Sequence, residues 1–281
     1  MHSIVADFLL LFVALIWGLT FPVIKDALEA ITPFAFLTIR FSIACIFLVV
    51  LYAKSMVKIN RYSLTAGLII GTALFAGYAF QTVGIQYTSA SNAAFITGFA
   101  VVLVPIINIP FTKKLPNKYA LLGAVSAVLG LSLLSFKSGF TLNYGDLLIF
   151  FCAVAFASHI VLISLYAPRV DSTLLTIIQI GAVALFSSIA AVSLENFSIE
   201  LSREVLIGLA VCAIPATSLA YWIQNKVQQY TSPARTAIIF SMEPVFGALF
   251  AYFLLGEVLT TKGLIGCGFV FLGMLLAEFK S

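Results

Sequence analysis

The four residues Gln86-Tyr87-Thr88-Ser89 occur a second time in the chain, as Gln229-Tyr230-Thr231-Ser232, 143 positions later. Other identities at the same offset extend the match in both directions: Tyr78 with Tyr221, Gln81 with Gln224, Ala94 with Ala237, Gly123 with Gly266, Gly130 with Gly273 and Phe136 with Phe279. A match that keeps one spacing over this length indicates an internal duplication. The first helices of the two halves match at an offset of 139, which pairs Asp7 with Asp146 and Trp17 with Phe156. We therefore predict two repeats, residues 1–137 and 138–281.

The composition of the chain predicts that it lies in a lipid bilayer. Of its 281 residues, 62% are hydrophobic and 9% are charged, whereas soluble globular domains carry about 25% charged residues. The net charge of +4 is modest and suggests no nucleic acid partner. Each cysteine lies within an apolar run, and we interpret all four as packing residues instead of metal ligands or disulfides: Cys45, Cys152, Cys212 and Cys267.

Charged and turn-forming clusters divide the chain into ten apolar segments, each close to the roughly 20 residues that a membrane-spanning helix needs. The alternating pattern of a barrel strand is absent. We therefore predict an all-α membrane protein with ten transmembrane helices, at 7–27, 33–53, 62–83, 89–111, 118–136, 145–166, 173–193, 204–226, 233–255 and 261–279.

The distribution of Lys and Arg predicts that both termini are cytoplasmic. With the N-terminus inside, the cytoplasmic segments hold ten basic residues and the outer segments hold four, and an excess of Lys and Arg marks cytoplasmic loops. Each repeat has an odd number of helices, so the second repeat enters the membrane from the opposite side. Inverted repeats of this kind permit alternating access to a midplane site in many secondary transporters.

Several short motifs point to a known group of membrane proteins: Trp17-Gly18-Leu19-Thr20-Phe21, Ile39-Arg40-Phe41, Tyr87-Thr88-Ser89-Ala90, Glu243-Pro244 and Gly256-Glu257. With them, the sequence resembles the ten-helix EamA-type members of the drug/metabolite transporter superfamily. The resemblance implies a secondary transporter, not an enzyme, that needs no cofactor and exports small metabolites such as amino acids across the bacterial inner membrane. Two alternatives stay open: a membrane enzyme that acts on lipid-linked substrates, and a membrane partner subunit that transports nothing.

Ionisable residues at membrane depth are costly, which makes them functional candidates. Glu243 lies about ten residues into the ninth segment. There it contacts a substrate amine or couples protons, or it is a buried carboxylate bonded to backbone that Pro244 frees. Arg40 binds a substrate carboxylate, pairs with a buried acid, or extends to the membrane surface; we favour the buried pair.

Three further side chains are candidate substrate contacts. His159 is the only histidine within a predicted span, and we interpret it as a packing residue in preference to a proton relay. Trp17 and Thr20 are three residues apart, on one face of the first helix near its middle. Trp17 either lines a cavity, which we favour, or packs in the core.

Two polar pairs repeat in the third and eighth helices. Tyr78 and Gln81 are one helical turn apart, as are Tyr221 and Gln224. Because the repeats are inverted, we expect the first pair toward the outer face and the second toward the inner face. They would then line or gate a central cavity from opposite sides. The alternative is that they form hydrogen bonds between helices.

Small residues form a stripe on the fifth and tenth helices. Gly123, Ala127 and Gly130 share a face of the fifth helix, and Gly266 and Gly273 recur at the matching places of the tenth. Such stripes let helices approach closely. We expect them to pack within the monomer or at a contact between two copies, which makes a homodimer through helices five and ten a further expectation.

The duplicated motif itself is predicted to begin a helix in each repeat. Ser232 is followed by Pro233, which suits an N-cap and a first helical turn, and Ser89 can play the same role. The motif therefore marks the repeat, and we do not expect it to bind substrate.

Overall fold

The computed structural model describes residues 3–88, 90–113, 115–135, 144–195, 202–255 and 261–278. The regular elements in these ranges are helices: α1 (Ser3–Ala27), α2 (Pro33–Leu51), α3 (Ala53–Met56), α4 (Arg61–Tyr87), α5 (Ala90–Gly98), α6 (Ala100–Thr112), α7 (Lys118–Ser135), α8 (Tyr144–Tyr166), α9 (Ser172–Leu194), α10 (Arg203–Ala213), α11 (Ala220–Gln228), α12 (Pro233–Phe240), α13 (Glu243–Leu255) and α14 (Thr261–Glu278). A 3₁₀ turn (Ala167–Arg169) follows α8, and a π-helix (Ile214–Leu219) joins α10 to α11. Some predicted features lie outside the described residues: Ser89, Phe136, the Gly256-Glu257 pair and Phe279.

Within these ranges, seven stretches are long and apolar enough to cross a membrane: Ile4–Ala27, Pro33–Leu51, Arg61–Tyr87, Ala93–Thr112, Tyr144–Arg169, Ser172–Leu194 and Arg203–Gln228. They correspond to predicted segments one to four and six to eight. The fifth and tenth segments contain shorter apolar helices, Lys118–Gly130 and Leu264–Gly273. The ninth is divided between α12 and α13. The chain is therefore an all-helical membrane protein in the part that the structure describes.

Two of the predicted spans are broken near their middle. α5 ends at Gly98 and α6 begins at Ala100, while α12 ends at Phe240 and α13 begins at Glu243. The offset of 143 places Gly98 on Ser241, the residue that follows α12. The two breaks therefore occupy matching positions of the predicted repeats. Discontinuous helices expose backbone groups and helix ends at membrane depth, which is where transporters build substrate sites.

The duplicated motif begins α12, as the sequence predicts. Ser232 Oγ accepts a hydrogen bond from the Arg235 backbone N–H at 3.2 Å, and Pro233 occupies the first helical position. The Arg235 side chain in turn forms a buried ion pair with Asp7 of α1, with Arg235 Nε 2.9 Å from Asp7 Oδ1. This pair ties the start of α12 to the start of α1.

The π-helix interrupts the eighth predicted span. It contains Pro215, which lacks the N–H that a regular helix would use, and a π-turn leaves nearby carbonyl groups without their usual partners. Side chains donate hydrogen bonds to carbonyls in and beside the π-helix, including Ser218 Oγ to Ala213 O at 3.3 Å. Thr217 Oγ1 donates to Cys212 O at 2.7 Å, and Trp17 Nε1 of α1 donates to Ala216 O at 2.9 Å. The interruption is thus connected directly to α1.

The small-residue stripe packs within one chain, because α7 lies along α14. A Cβ atom added to Gly130 would be 2.4 Å from Gly266 O, and one added to Gly273 would be 2.6 Å from Gly123 O. Distances this short leave no room for a side chain at either place. The glycine face is therefore filled inside the monomer, and the expected homodimer through helices five and ten has no free glycine stripe to use.

Candidate functional site

A cavity lies among α1, α4, α8, α11 and the two broken spans, and the empty space in it, open solvent at its mouth included, is about 630 Å³. The predicted site residues gather here, with one exception: the cavity is lined by Trp17, Thr20, Tyr78, Gln81, His159, Tyr221, Gln224 and Glu243. Arg40 is the exception. It does not line the cavity, but it contacts Tyr78, which does.

All of the lining positions except Ile160 and Ala237 fall into pairs that match at the repeat offsets of 143 or 139: Trp17 with Phe156, Thr20 with His159, Tyr78 with Tyr221, Gln81 with Gln224, Thr97 with Phe240, Gly98 with Ser241, and Ala100 with Glu243. The cavity therefore lies where the two predicted repeats meet. Thr97, Gly98 and Ala100 were not predicted, because none of them is a charged or aromatic residue in an apolar segment. Subtracting the repeat offset of 143 from Phe240, Ser241 and Glu243 would have located them.

Tyr78 and Tyr221 meet in the cavity wall. Their hydroxyl oxygens are 2.7 Å apart, and the side chains are 5% and 2% exposed. The prediction that they face each other from opposite sides of the cavity is therefore wrong. The position of a residue along its helix gives its depth in the membrane, but not which side chains of other helices it meets.

The two glutamines have different partners. Gln81 Nε2 lies 3.5 Å from Thr97 Oγ1 on α5, at the limit of a hydrogen bond between helices. Gln224 Nε2 donates to Gln228 Oε1 at 3.1 Å on its own helix, and Gln224 Oε1 has no hydrogen-bond partner in the described part of the chain. The alternative of interhelical hydrogen bonding therefore applies to Tyr78 and Tyr221, and to Gln81 at the limit of the distance, but not to Gln224.

Arg40 is 1% exposed, so it does not extend to the membrane surface. Its Nε donates to Thr217 Oγ1 at 2.8 Å, and its Nη2 donates to Tyr78 Oη at 3.1 Å. Its Cζ lies 4.7 Å from the centre of the Tyr78 ring, a cation–π distance. The expected pairing with a buried acid is wrong in the described part of the chain, where no carboxylate lies within 4.0 Å of the guanidinium. Hydroxyl groups and an aromatic face take its place.

Glu243 is the first residue of α13 and reaches the cavity. Among the described residues, its carboxylate has no hydrogen bond or ion pair. The alternative that it bonds to backbone freed by Pro244 therefore does not hold, because Pro244 follows the break and belongs to the first turn of α13. The start of a helix carries a partial positive charge, which favours a negative charge there, while burial opposes it.

Trp17 both lines the cavity and packs. Its ring centre lies 4.9 Å from that of Phe240 and 5.3 Å from that of Tyr221. Thr20 Oγ1 donates to Trp17 O at 2.7 Å, so toward a ligand its hydroxyl can only accept a hydrogen bond, and its methyl group adds apolar surface. Together these side chains form an aromatic wall that suits an apolar substrate group.

His159 lies at the back of the cavity and is 2% exposed. One ring nitrogen, Nε2, is 2.9 Å from Gln179 Oε1, and the ring stands edge-on to Tyr221 with centres 5.7 Å apart. These contacts are typical of a buried histidine that is hydrogen-bonded inside the core and also reaches the cavity surface.

Comparison with known proteins places this arrangement in a family. The model of the EamA-like transporter family matches the chain twice, over residues 4–136 and 143–279. The chain belongs to the EamA-like transporter family. This EamA-like chain is 39% identical over 275 residues to an uncharacterized transporter of Archaeoglobus fulgidus, which covers 98% of the chain and 86% of that protein. It is 22% identical over 284 residues to the uncharacterized transporter YoaV of Bacillus subtilis, covering 95% and 94% of the two proteins.

A solved crystal structure has the same fold as the EamA-like chain. The TM-score is 0.82 over 98% of this chain and 99% of the other, at 17% sequence identity. The likeness at this identity concerns the fold alone. The family and the apolar helices together make the EamA-like chain a multi-pass membrane protein with a transporter role, which implies a small-molecule substrate.

Proposed function

We propose that this chain is a secondary transporter that exports small amphipathic metabolites such as amino acids across the inner membrane of the cell by alternating access. The central cavity carries the proposal. It lies among the helices and draws matching positions from both predicted repeats, and its described lining holds aromatic surface and the carboxylate of Glu243. Export, the substrate class and the mechanism belong to the proposal, whereas the transporter role comes from the family.

Direct contacts between matching positions support inverted repeats. Tyr78 Oη bonds to Tyr221 Oη, and Ser126 Oγ donates to Phe269 O at 2.8 Å, and each pair is 143 positions apart. Two symmetry-related positions contact each other only near the axis that relates them. One pair lies beside the cavity and the other between α7 and α14, so both support one axis through the molecule. In this arrangement, rocking of one repeat against the other opens the cavity to each side in turn.

The chemistry of the cavity favours molecules that combine apolar and charged groups. Trp17, Phe156 and Phe240 offer aromatic faces, and Glu243 offers an acceptor with negative charge at the start of a helix. An amino acid can place its ammonium group near Glu243 and an apolar side chain against the rings. A multiply charged phosphate ester would meet the Glu243 carboxylate instead.

Transport by the purified protein in proteoliposomes tests the proposal. The probes are the twenty L-amino acids, measured in both directions with and without a pH gradient. We expect flux of at least one amino acid, abolished by Ala100→Trp, which fills the cavity from the start of α6. Protein-free liposomes are the blank. Absence of flux for all twenty, or equal flux through Ala100→Trp, would contradict the proposal.

A further inference from the structure

Among the described residues, Arg40 is a buried cation with no carboxylate within 4.0 Å of it. Its polar contacts among the described residues are the hydroxyl groups of Thr217 and Tyr78, and Nη1 has no hydrogen-bond partner there. Burying a charge without an opposite charge is costly. The positive charge of Arg40 therefore produces a positive potential at this place, which attracts an anionic ligand.

The charge of Arg40 reaches the cavity through two tyrosines. The guanidinium can only donate, so Tyr78 Oη accepts from it. Tyr78 and Tyr221 carry two phenol protons, and one of these lies between their oxygens in the 2.7 Å hydrogen bond. No other hydrogen bond to either hydroxyl is present among the described residues. Whichever tyrosine donates to the other, one phenol proton is left over, and both rings line the cavity.

We infer that Tyr78 and Tyr221 form the subsite that binds the carboxylate of the substrate, with Arg40 behind them as the source of positive charge. The spare O–H donates to the carboxylate, which the Arg40 charge attracts from behind the wall. Arg40 does not line the cavity, so it is a positioning residue that acts through Tyr78. This inference rests on the proposed transport function. It assigns the carboxylate end of the substrate to the part of the cavity wall that Tyr78 and Tyr221 form.

Glu243 defines the rest of the substrate. It lines the same cavity without a hydrogen-bond partner in the described part of the chain. A simple anion would be repelled by Glu243, and a simple amine would leave the phenol proton and the Arg40 charge unused. A molecule with both a carboxylate and an ammonium group satisfies both. The cavity therefore selects zwitterions over plain acids and plain amines.

Calorimetric titration of the purified, detergent-solubilised protein tests the subsite. The probes are the twenty L-amino acids, each compared with its own carboxamide, which keeps the ammonium group and side chain and loses the carboxylate charge. We expect at least one amino acid to bind about tenfold or more tightly than its carboxamide, the range for a hydrogen bond to a charged group.

Variants of the tyrosine pair give a sharper expectation. Tyr221→Phe leaves one phenol proton, now free on Tyr78, and keeps the preference for the acid. The double variant Tyr78→Phe/Tyr221→Phe removes both protons and brings the acid down to the affinity of the carboxamide. Arg40→Lys retains much of the preference, and Arg40→Gln loses it. Tyr230→Phe, the same change at a half-exposed tyrosine outside the cavity lining, alters nothing. Unchanged carboxamide binding shows that each variant is folded.

Two results overturn the inference: no preference for any acid over its carboxamide in the wild type, including no binding at all, or a preference that survives the double variant. Failure of the transport proposal gives a different pattern. In that case the acid preference and its loss in the double variant remain, while proteoliposomes show no flux.

Discussion

Glu243 is the only carboxylate residue among the described side chains that line the cavity. If it holds the ammonium group of the substrate, replacing it by an uncharged amide of the same shape weakens a charge-assisted contact. We predict that Glu243→Gln lowers the transport rate at subsaturating amino acid by about tenfold or more in proteoliposomes. Glu204→Gln is the matched control, because Glu204 is fully exposed and lies outside the cavity lining. Equal rates for both variants and the wild type would remove Glu243 from the site.

Most of the cavity could be predicted residue by residue, and its internal contacts could not. Trp17, Tyr78, Gln81 and Glu243 are prominent because polar and aromatic groups are conspicuous in apolar segments and because the duplication pairs several of them. The partners of Arg40 were mispredicted, since sequence position gives depth along a helix but not the neighbouring helix that a side chain meets. Hydroxyl groups, which are common in apolar segments, replaced the acid expected there.

Helix positions were predictable to within a few residues, but helix interruptions were not. The second segment was expected at 33–53 and is Pro33–Leu51. The break after Gly98 falls inside apolar sequence, where hydropathy gives no signal, and it depends on packing between elements. The break after Phe240 is followed by Glu243-Pro244, a charge and a missing N–H that are visible in the sequence. A residue offset applied to Glu243-Pro244, the visible start of α13, would have located the matching break.

Close contact between α7 and α14 depends on glycine. A Cβ atom at Gly130 would be 2.4 Å from Gly266 O, so Gly130→Ala forces the helices apart. We predict a loss of about 1–3 kcal/mol in the free energy of unfolding, the usual cost of overpacking. Thermal unfolding of the purified protein in detergent measures it. Gly268→Ala is the matched control on α14, where an added Cβ meets nothing within 4 Å. Equal unfolding temperatures for the two variants would contradict this explanation of the contact.

The basic residues predict the orientation of the whole molecule in the membrane. Lys58 follows α3 and is exposed, and Arg203 begins α10 and is also exposed. We predict that Lys58→Cys in intact cells is protected from a membrane-impermeant thiol reagent and that Arg203→Cys is modified. The wild type, whose cysteines at the described positions are buried or partly buried, gives the background. The reverse labelling pattern would place both termini outside.

At the scale of the molecule, the duplication was the most informative feature of the sequence. It predicted that the second repeat is inverted, because each predicted repeat has an odd number of helices. It could not predict which matching positions touch each other, such as Ser126 with the Phe269 carbonyl. The glycine stripe was visible in the sequence, but whether it packed inside one chain or between two depended on the full packing of α7 and α14.

The central claim is that one cavity between two repeats opens to each side of the membrane in turn. The variant Ala100→Cys tests it most directly. Ala100 lines the cavity at the position that matches Glu243 in the other predicted repeat, and a cysteine is only slightly larger than the alanine that it replaces. A membrane-impermeant thiol reagent is applied to right-side-out and to inside-out vesicles, with the wild type as background. The account predicts that the thiol is modified in both preparations and is protected in both by a transported amino acid. Modification from one side alone, whatever the conditions, would contradict it.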